Sequence, residues 1–256
     1  MNMSLRLLVR HTVFGLKEHF RQPGYFVSTL LFPAIFFLFF AWPEASDENR
    51  ARVLLASFSA FAVIGVVFFQ FAVGTANERH STWNQFLRSL PVGRGELLIA
   101  RSTVGLVFAS LACLVVWGVV MATTGVRLTG LRAIEFWFFL VTGAIPFALL
   151  GVLVGQVTSP KSSVPFGNLI YLSLSYLGGL WYPPEALPTA IQKVSPYVPT
   201  RAYAEVLWDV ALSRPIQWTM VAQLAGFSVL LIFILVLLPR FSQGFSFGPL
   251  RLRGVR

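Results

Sequence analysis

Six stretches of this chain hold no charged residue: Gln22–Pro43, Val53–Asn77, Ser102–Val126, Phe136–Ser159, Ser162–Pro184 and Pro215–Pro239. Each is long enough to cross a hydrocarbon core of about 30 Å as a helix rising about 1.5 Å per residue. One Asp, Lys or Arg at mid-bilayer costs about 2.5–3.5 kcal/mol on the insertion scale, and every stretch avoids it. Only 12% of the 256 residues are charged, against about a quarter in a soluble domain, too few to cover a globule in water. The expected fold is an all-α membrane protein of one domain. Its six transmembrane helices fall at about 24–42, 53–76, 102–125, 136–158, 163–182 and 216–238.

The charges between these stretches sort by side. The N-terminus, the Glu78–Arg101 connection, Lys161 and the C-terminal tail together carry 13 basic and 3 acidic residues, the whole excess of +10. The alternate connections balance, seven basic against seven acidic. By the positive-inside rule the basic side is cytoplasmic, which places both termini and the basic 240–256 tail inside a plasma membrane, the inner membrane of a bacterium. That distribution also accounts for the basic charge without nucleic acid.

Residues 1–21 read as an amphipathic helix on the inner leaflet. Arg6, Arg10, Lys17 and Arg21 share one face and Leu5, Leu8, Val9, Val13, Leu16 and Phe20 another, the pattern of an interfacial helix near anionic headgroups.

Catalytic and metal chemistry is poorly represented. One cysteine, Cys113, leaves no disulfide and no Cys-based zinc site. His11, His19 and His80 lie outside the spans, which argues against an intramembrane hydrolase. Gly244-Phe245-Ser246-Phe247-Gly248 matches a nucleophile-elbow pattern but lacks its strand-to-helix context. Gly-Lys never occurs, so no phosphate-cradling loop is present and no cofactor is expected on this chain.

The spans offer polar but uncharged groups. Asn168, Tyr171, Ser175, Gly178 and Tyr182 recur at helical spacing, and Gln70 and Thr75 lie in the second span. Gln70, Asn168, Tyr171, Ser175 and Tyr182 are candidates to line a path for an amphipathic substrate. Bonding between neighbouring helices accounts for them equally well. Gly151-x-x-x-Gly155 reads as a close helix contact. The absence of intramembrane charge weakens the alternative of a stand-alone channel or ion-coupled carrier.

Two connections are more specific. The cytoplasmic one holds Glu78-Arg79, Thr82-Trp83, Gln85-Phe86-Leu87, Leu90-Pro91-Val92 and Arg94, a short amphipathic helix stopped by Pro91 and expected to begin near Glu78. The external one, Tyr182–Arg214, predicts two short helices that lie in the interface or re-enter the membrane, Thr200 capping the second.

The first connection resembles the Glu-Arg…Thr-x-x-Gln-x-Leu…Pro-Val-x-Arg segment of type-2 ABC transporter permeases. Gly178-Gly179-Leu180-Trp181-Tyr182-Pro183-Pro184-Glu185 resembles that family's region between its fifth and sixth spans. His80-Ser81 and Trp83 depart from the usual residues there. The resemblance implies the membrane-spanning subunit of a bacterial ABC exporter of drug-, lipid- or glycan-like substrates. It assigns Glu78, Arg79, Trp83, Gln85, Phe86, Leu87, Leu90 and Pro91 to a coupling helix on a separate nucleotide-binding (ATPase) subunit. ATP and Mg would bind that partner. It further implies a second permease copy or paralogue, with spans two and five at the interface.

Overall fold

The computed structural model describes residues 3–21, 23–80, 94–128 and 130–242, and among these there is no strand. The helices are α1 (Met3–Phe20), α2 (Pro23–Phe36), α3 (Glu48–His80), α4 (Arg94–Thr124), α5 (Leu131–Thr142), α6 (Ile145–Val157), α7 (Pro160–Leu177), α8 (Thr189–Val194), α9 (Pro199–Ala211) and α10 (Trp218–Ser242). Four helical segments are long and apolar enough to cross a membrane: Glu48–Arg79, Ile99–Thr124, Leu131–Val157 and Trp218–Leu237. A shorter apolar helix covers Thr29–Glu44, where α2 runs on through a π turn at Phe37–Ala41, one turn beyond the helical Pro33.

α3 is the axis of the bundle. Its apolar window is 83% buried within the chain, whereas that of α10 is 6% buried. α3 packs against α6, α4, α7, α9 and α2, while among the described residues α10 packs mainly on α9 and α6. Small residues make this possible: Ala56, Ser57, Ser59, Ala60, Ala62, Ala72 and Ala76 of α3 are all buried. Lipid is as apolar as a side chain, so helices in a bilayer hold by close van der Waals contact, which small residues permit.

The α3–α6 contact is the closest. A Cβ placed on Gly151 would lie 2.4 Å from the Phe68 carbonyl oxygen, and one on Gly155 would lie 2.5 Å from that of Ala72. The Gly-x-x-x-Gly pair is a packing seam, as its spacing suggests.

The stretch expected as the fourth span differs from that form. It begins at Leu131 rather than residue 136 and breaks at Gly143-Ala144. Pro146 has no N–H to continue the first helix, but sits unopposed in the first turn of the second. At the break Ala144 N–H bonds Val141 O, and the Leu140 carbonyl instead accepts the Tyr203 hydroxyl at 2.6 Å. α7 also starts early, at Pro160, behind a Ser159/Ser162 capping box, and ends at Leu177. Its end is a Schellman motif: Leu180 N–H bonds Ser175 O and Gly179 N–H bonds Tyr176 O. Gly179 takes φ +75°, a left-handed conformation that favours glycine.

Two short helices, α8 and α9, lie between α7 and α10, where two were expected. α9 is interior: Ala202, Tyr203, Val206, Leu207 and Val210 are buried, and Trp208 donates to Ser57 of α3 at 2.8 Å. Thr200 does not cap it. The N-cap is Val198 without a side-chain bond, and the Thr200 hydroxyl donates to the Leu174 carbonyl of α7 at 2.6 Å. With Pro199 as first residue, one missing N–H already lowers the need for a cap.

Candidate functional site

The connection between α3 and α4 is approached from two sides. α3 runs to His80, so Glu78 and Arg79 belong to its last turn. This corrects the expectation that the loop helix begins at Glu78. A carboxylate at a helix C-terminus opposes the dipole by about 0.3–1 kcal/mol. Here Arg101 of α4 offsets it, its Nη1 donating to Glu78 Oε1 at 3.0 Å. The same guanidinium donates through Nη2 to the Gln70 carbonyl at 2.8 Å and lies 5.3 Å from the centre of the Phe71 ring. Gly74 makes this approach possible, since a Cβ there would come within 1.5 Å of Nη2. Arg79 turns to α6, donating to the carbonyls of Gly155, at 3.3 Å, and Gln156. These belong to that helix's last turn, where a cation suits the dipole. Trp83, Gln85, Phe86, Leu87, Leu90 and Pro91 lie outside the described residues, as does the Gly244–Gly248 motif.

The proposed path residues separate. The Tyr171 hydroxyl donates to the Phe61 carbonyl of α3 at 2.9 Å, and its ring stacks on Phe61 with centroids 4.8 Å apart. Gly65 admits it; a Cβ there would stand 2.8 Å from the hydroxyl oxygen. Ser175 is fully buried and donates to the Tyr171 carbonyl one turn back at 2.7 Å. With Ser163 and Gly167 these two form the face of α7 that packs on α3. Gln70 is bound to His19 of α1: Nε2 lies 3.0 Å from Gln70 Oε1, and Nδ1 2.8 Å from Gly15 O. Asn168 is exposed, and Tyr182, beyond the helix end, is 44% exposed. Of the five candidates, Gln70 and Tyr171 bond neighbouring helices, Ser175 is buried and bonds its own helix, and two face outward. The tie from Gln70 to His19 spans 51 residues of sequence and has no local signal.

This division predicts different fates for two substitutions. Ser175→Leu forces a larger side chain into a filled interior, where overpacking costs about 1–3 kcal/mol. Asn168→Leu adds one more apolar side chain to an exposed face beside Leu169 and Leu172. Melting in detergent is expected to drop for Ser175→Leu and hold for Asn168→Leu.

Among the described residues no group of His, Cys, Asp or Glu is placed to hold a metal ion. The bundle also carries an apolar groove of about 490 Å³ between α6, α7 and α10, lined by Phe147, Leu150, Leu169, Leu174, Phe227 and Leu230 among others. Ser173 is its one hydroxyl.

Among the described residues the chain is helical without strands, and its charge-free apolar helices have the make-up of a membrane protein. Residues 8–212 match the model of the ABC-2 type transporter family, and the chain belongs to that family. It is similar to a protein of Bacillus subtilis (strain 168) named as a transport permease, YvfS, at 21% identity over 230 residues, covering 88% of this chain and 94% of that one. No solved structure matches the chain.

Proposed function

We propose that this chain is the membrane-spanning subunit of an ATP-driven exporter in a bacterial plasma membrane. It works with a separate ATPase subunit and a second permease copy or paralogue. Its six spans are α2 with its π turn, α3, α4, α5 with α6, α7, and α10, and both termini are cytoplasmic, as the basic excess at the N-terminus, the Glu78–Arg101 connection, Lys161 and the tail argues. The observation that carries the reading is the bracing of α3's last turn, by Arg101 from α4 and by Arg79 onto α6. It stands directly before the 81–93 connection, whose sequence resembles a coupling helix. A segment that receives a push needs a rigid base.

ATP and Mg bind the partner, and closure of the partner dimer would press on residues 78–91. Nucleotide binding then favours one arrangement of the permease pair over the other, by the difference in its affinity for the two. The substrate is amphipathic, since the charge-free stretches within the six spans hold no group to pair with an ionic one. Asn168 and Tyr182 remain the path residues of choice, and Gln70, Tyr171 and Ser175 act through packing.

Trp83→Ala tests the coupling role. In membranes co-expressing this chain and its partner ATPase, the variant permease is expected at the normal level. The ATPase should be lost on purification, or hydrolyse without response to transported compounds. Normal retention and stimulated hydrolysis would exclude the docking role. Orientation is checked by maleimide labelling of intact cells in a Cys113→Ala background. Ser46→Cys is expected to react and Ser242→Cys not to; the reverse pattern overturns the topology.

A further inference from the structure

Over its middle α3 meets its neighbours through small residues, aromatic rings and neutral hydrogen bonds from Trp208, Trp117 and Tyr171; at its last turn charge-assisted hydrogen bonds tie it to both α4 and α6. Arg101 bridges about two turns of α3, from Gln70 to Glu78, and its side chain is only 12% exposed. Gly74 provides the notch in which its guanidinium lies, over the Phe71 ring. Arg79, next to Glu78, extends the same turn to the carboxyl end of α6.

We infer that Arg101, held in the Gly74 notch, is the positioning residue that makes the inner ends of α3, α4 and α6 one rigid lever. The inference rests on reading residues 78–91 as the ATPase docking segment, and adds what lies behind it. Residues 81–93 join α3 to α4, so a force on them can either splay the two helix ends or move both together. Packing between small apolar side chains resists sliding and rotation weakly, because it is not directional. Arg101 resists both. Its two nitrogens bond groups two turns apart on α3, so rotation of α4 withdraws both donors and sliding along α3 stretches at least one bond. Arg79 carries the same displacement to α6, whose Gly151 and Gly155 hold it against α3 over the rest of its length.

Spin labels test this without a known substrate. Ile99 of α4 is 56% exposed and Val157 at the end of α6 is 61% exposed, so Ile99→Cys and Val157→Cys with Cys113→Ala give a labelled pair flanking α3. The complex with its ATPase, diluted with unlabelled permease, is measured with and without ATP and vanadate. With Arg101 present, the distance distribution is expected to stay the same in both states. In Arg101→Gln it should broaden or shift when nucleotide is trapped, while the ATPase remains bound and hydrolyses ATP. Gly74→Ala keeps every charge and displaces the guanidinium, so it should behave as Arg101→Gln does. Arg101→Lys, with one donor centre in place of a fork, should fall between. An unchanged distribution in both Arg101→Gln and Gly74→Ala overturns the inference and leaves the docking role intact. Failure of the unsubstituted complex to bind any ATPase overturns both.

Discussion

Gly155→Leu is expected to leave no folded permease in the membrane. A Cβ at this position meets the Ala72 carbonyl oxygen at 2.5 Å, Thr75 Cβ at 2.6 Å and the Ala76 nitrogen at 3.1 Å. Two of these atoms are backbone of α3, which cannot move aside as a side chain can. α6 must therefore retreat along its whole seam, and α3 loses its closest partner. Overpacking by a few methylenes in a soluble core costs about 1–3 kcal/mol. Here the clash is with main chain, and separation also opens voids at Phe68 and Phe71, so the loss should exceed that range. Gly151→Leu is expected to do the same. Gly226→Ala is the control: nothing lies within 4 Å of a Cβ on that glycine of α10. Replacing a helical glycine by alanine there should raise stability by up to about 1 kcal/mol. Fluorescence-detected size exclusion after heating distinguishes the outcomes. A normal, monodisperse peak for Gly155→Leu would mean that α3 and α6 are not held at this distance.

The Gly151–Gly155 seam was readable because its signal is local: two small residues one turn apart on one helix. Residues 163, 167, 171 and 175 of α7 carry the same kind of signal, Ser-Gly-Tyr-Ser at four-residue steps. Reading Asn168 and Tyr182 into that stripe obscured it. Asn168 falls one position past Gly167, about 100° round the helix, and Tyr182 lies past a Schellman turn that ends the helical geometry altogether. The break at Gly143 was also present in the sequence, as a glycine followed by Pro146 inside a charge-free stretch. Composition and hydropathy average over such a break. What could not be read is any pairing of distant groups: Arg101 with Gln70 and Glu78, His19 with Gln70, Trp208 with Ser57. Each joins residues that the chain brings together only after the helices pack. Thr200 shows the same limit from the other side. Its local environment suggested a cap, but the Leu174 carbonyl across the bundle offered a better acceptor.

Tyr203 is where the segment between α7 and α10 becomes structural, and Tyr203→Ala is the second substitution with a large expected effect. The ring is fully buried, 5.5 Å from that of Phe147, and it fills the space left by Gly143, where a Cβ would sit 2.5 Å from two ring carbons. Its hydroxyl supplies the hydrogen bond that the Leu140 carbonyl loses at the α5–α6 break. Removing an aromatic side chain from a packed interior costs about 3–5 kcal/mol. An unsatisfied buried carbonyl adds about 1–3 kcal/mol. Tyr203→Phe separates these contributions, since it keeps the ring and loses only the hydrogen bond. Melting in detergent is therefore expected to rank the native chain first, Tyr203→Phe next and Tyr203→Ala last, the last with little folded protein recovered. Equal melting of Tyr203→Phe and the native chain would show that water reaches Leu140 O once the hydroxyl is gone. Normal recovery of Tyr203→Ala would mean that α9 lies against the bundle surface instead of within it. In that case the break in the fourth span is supported from elsewhere.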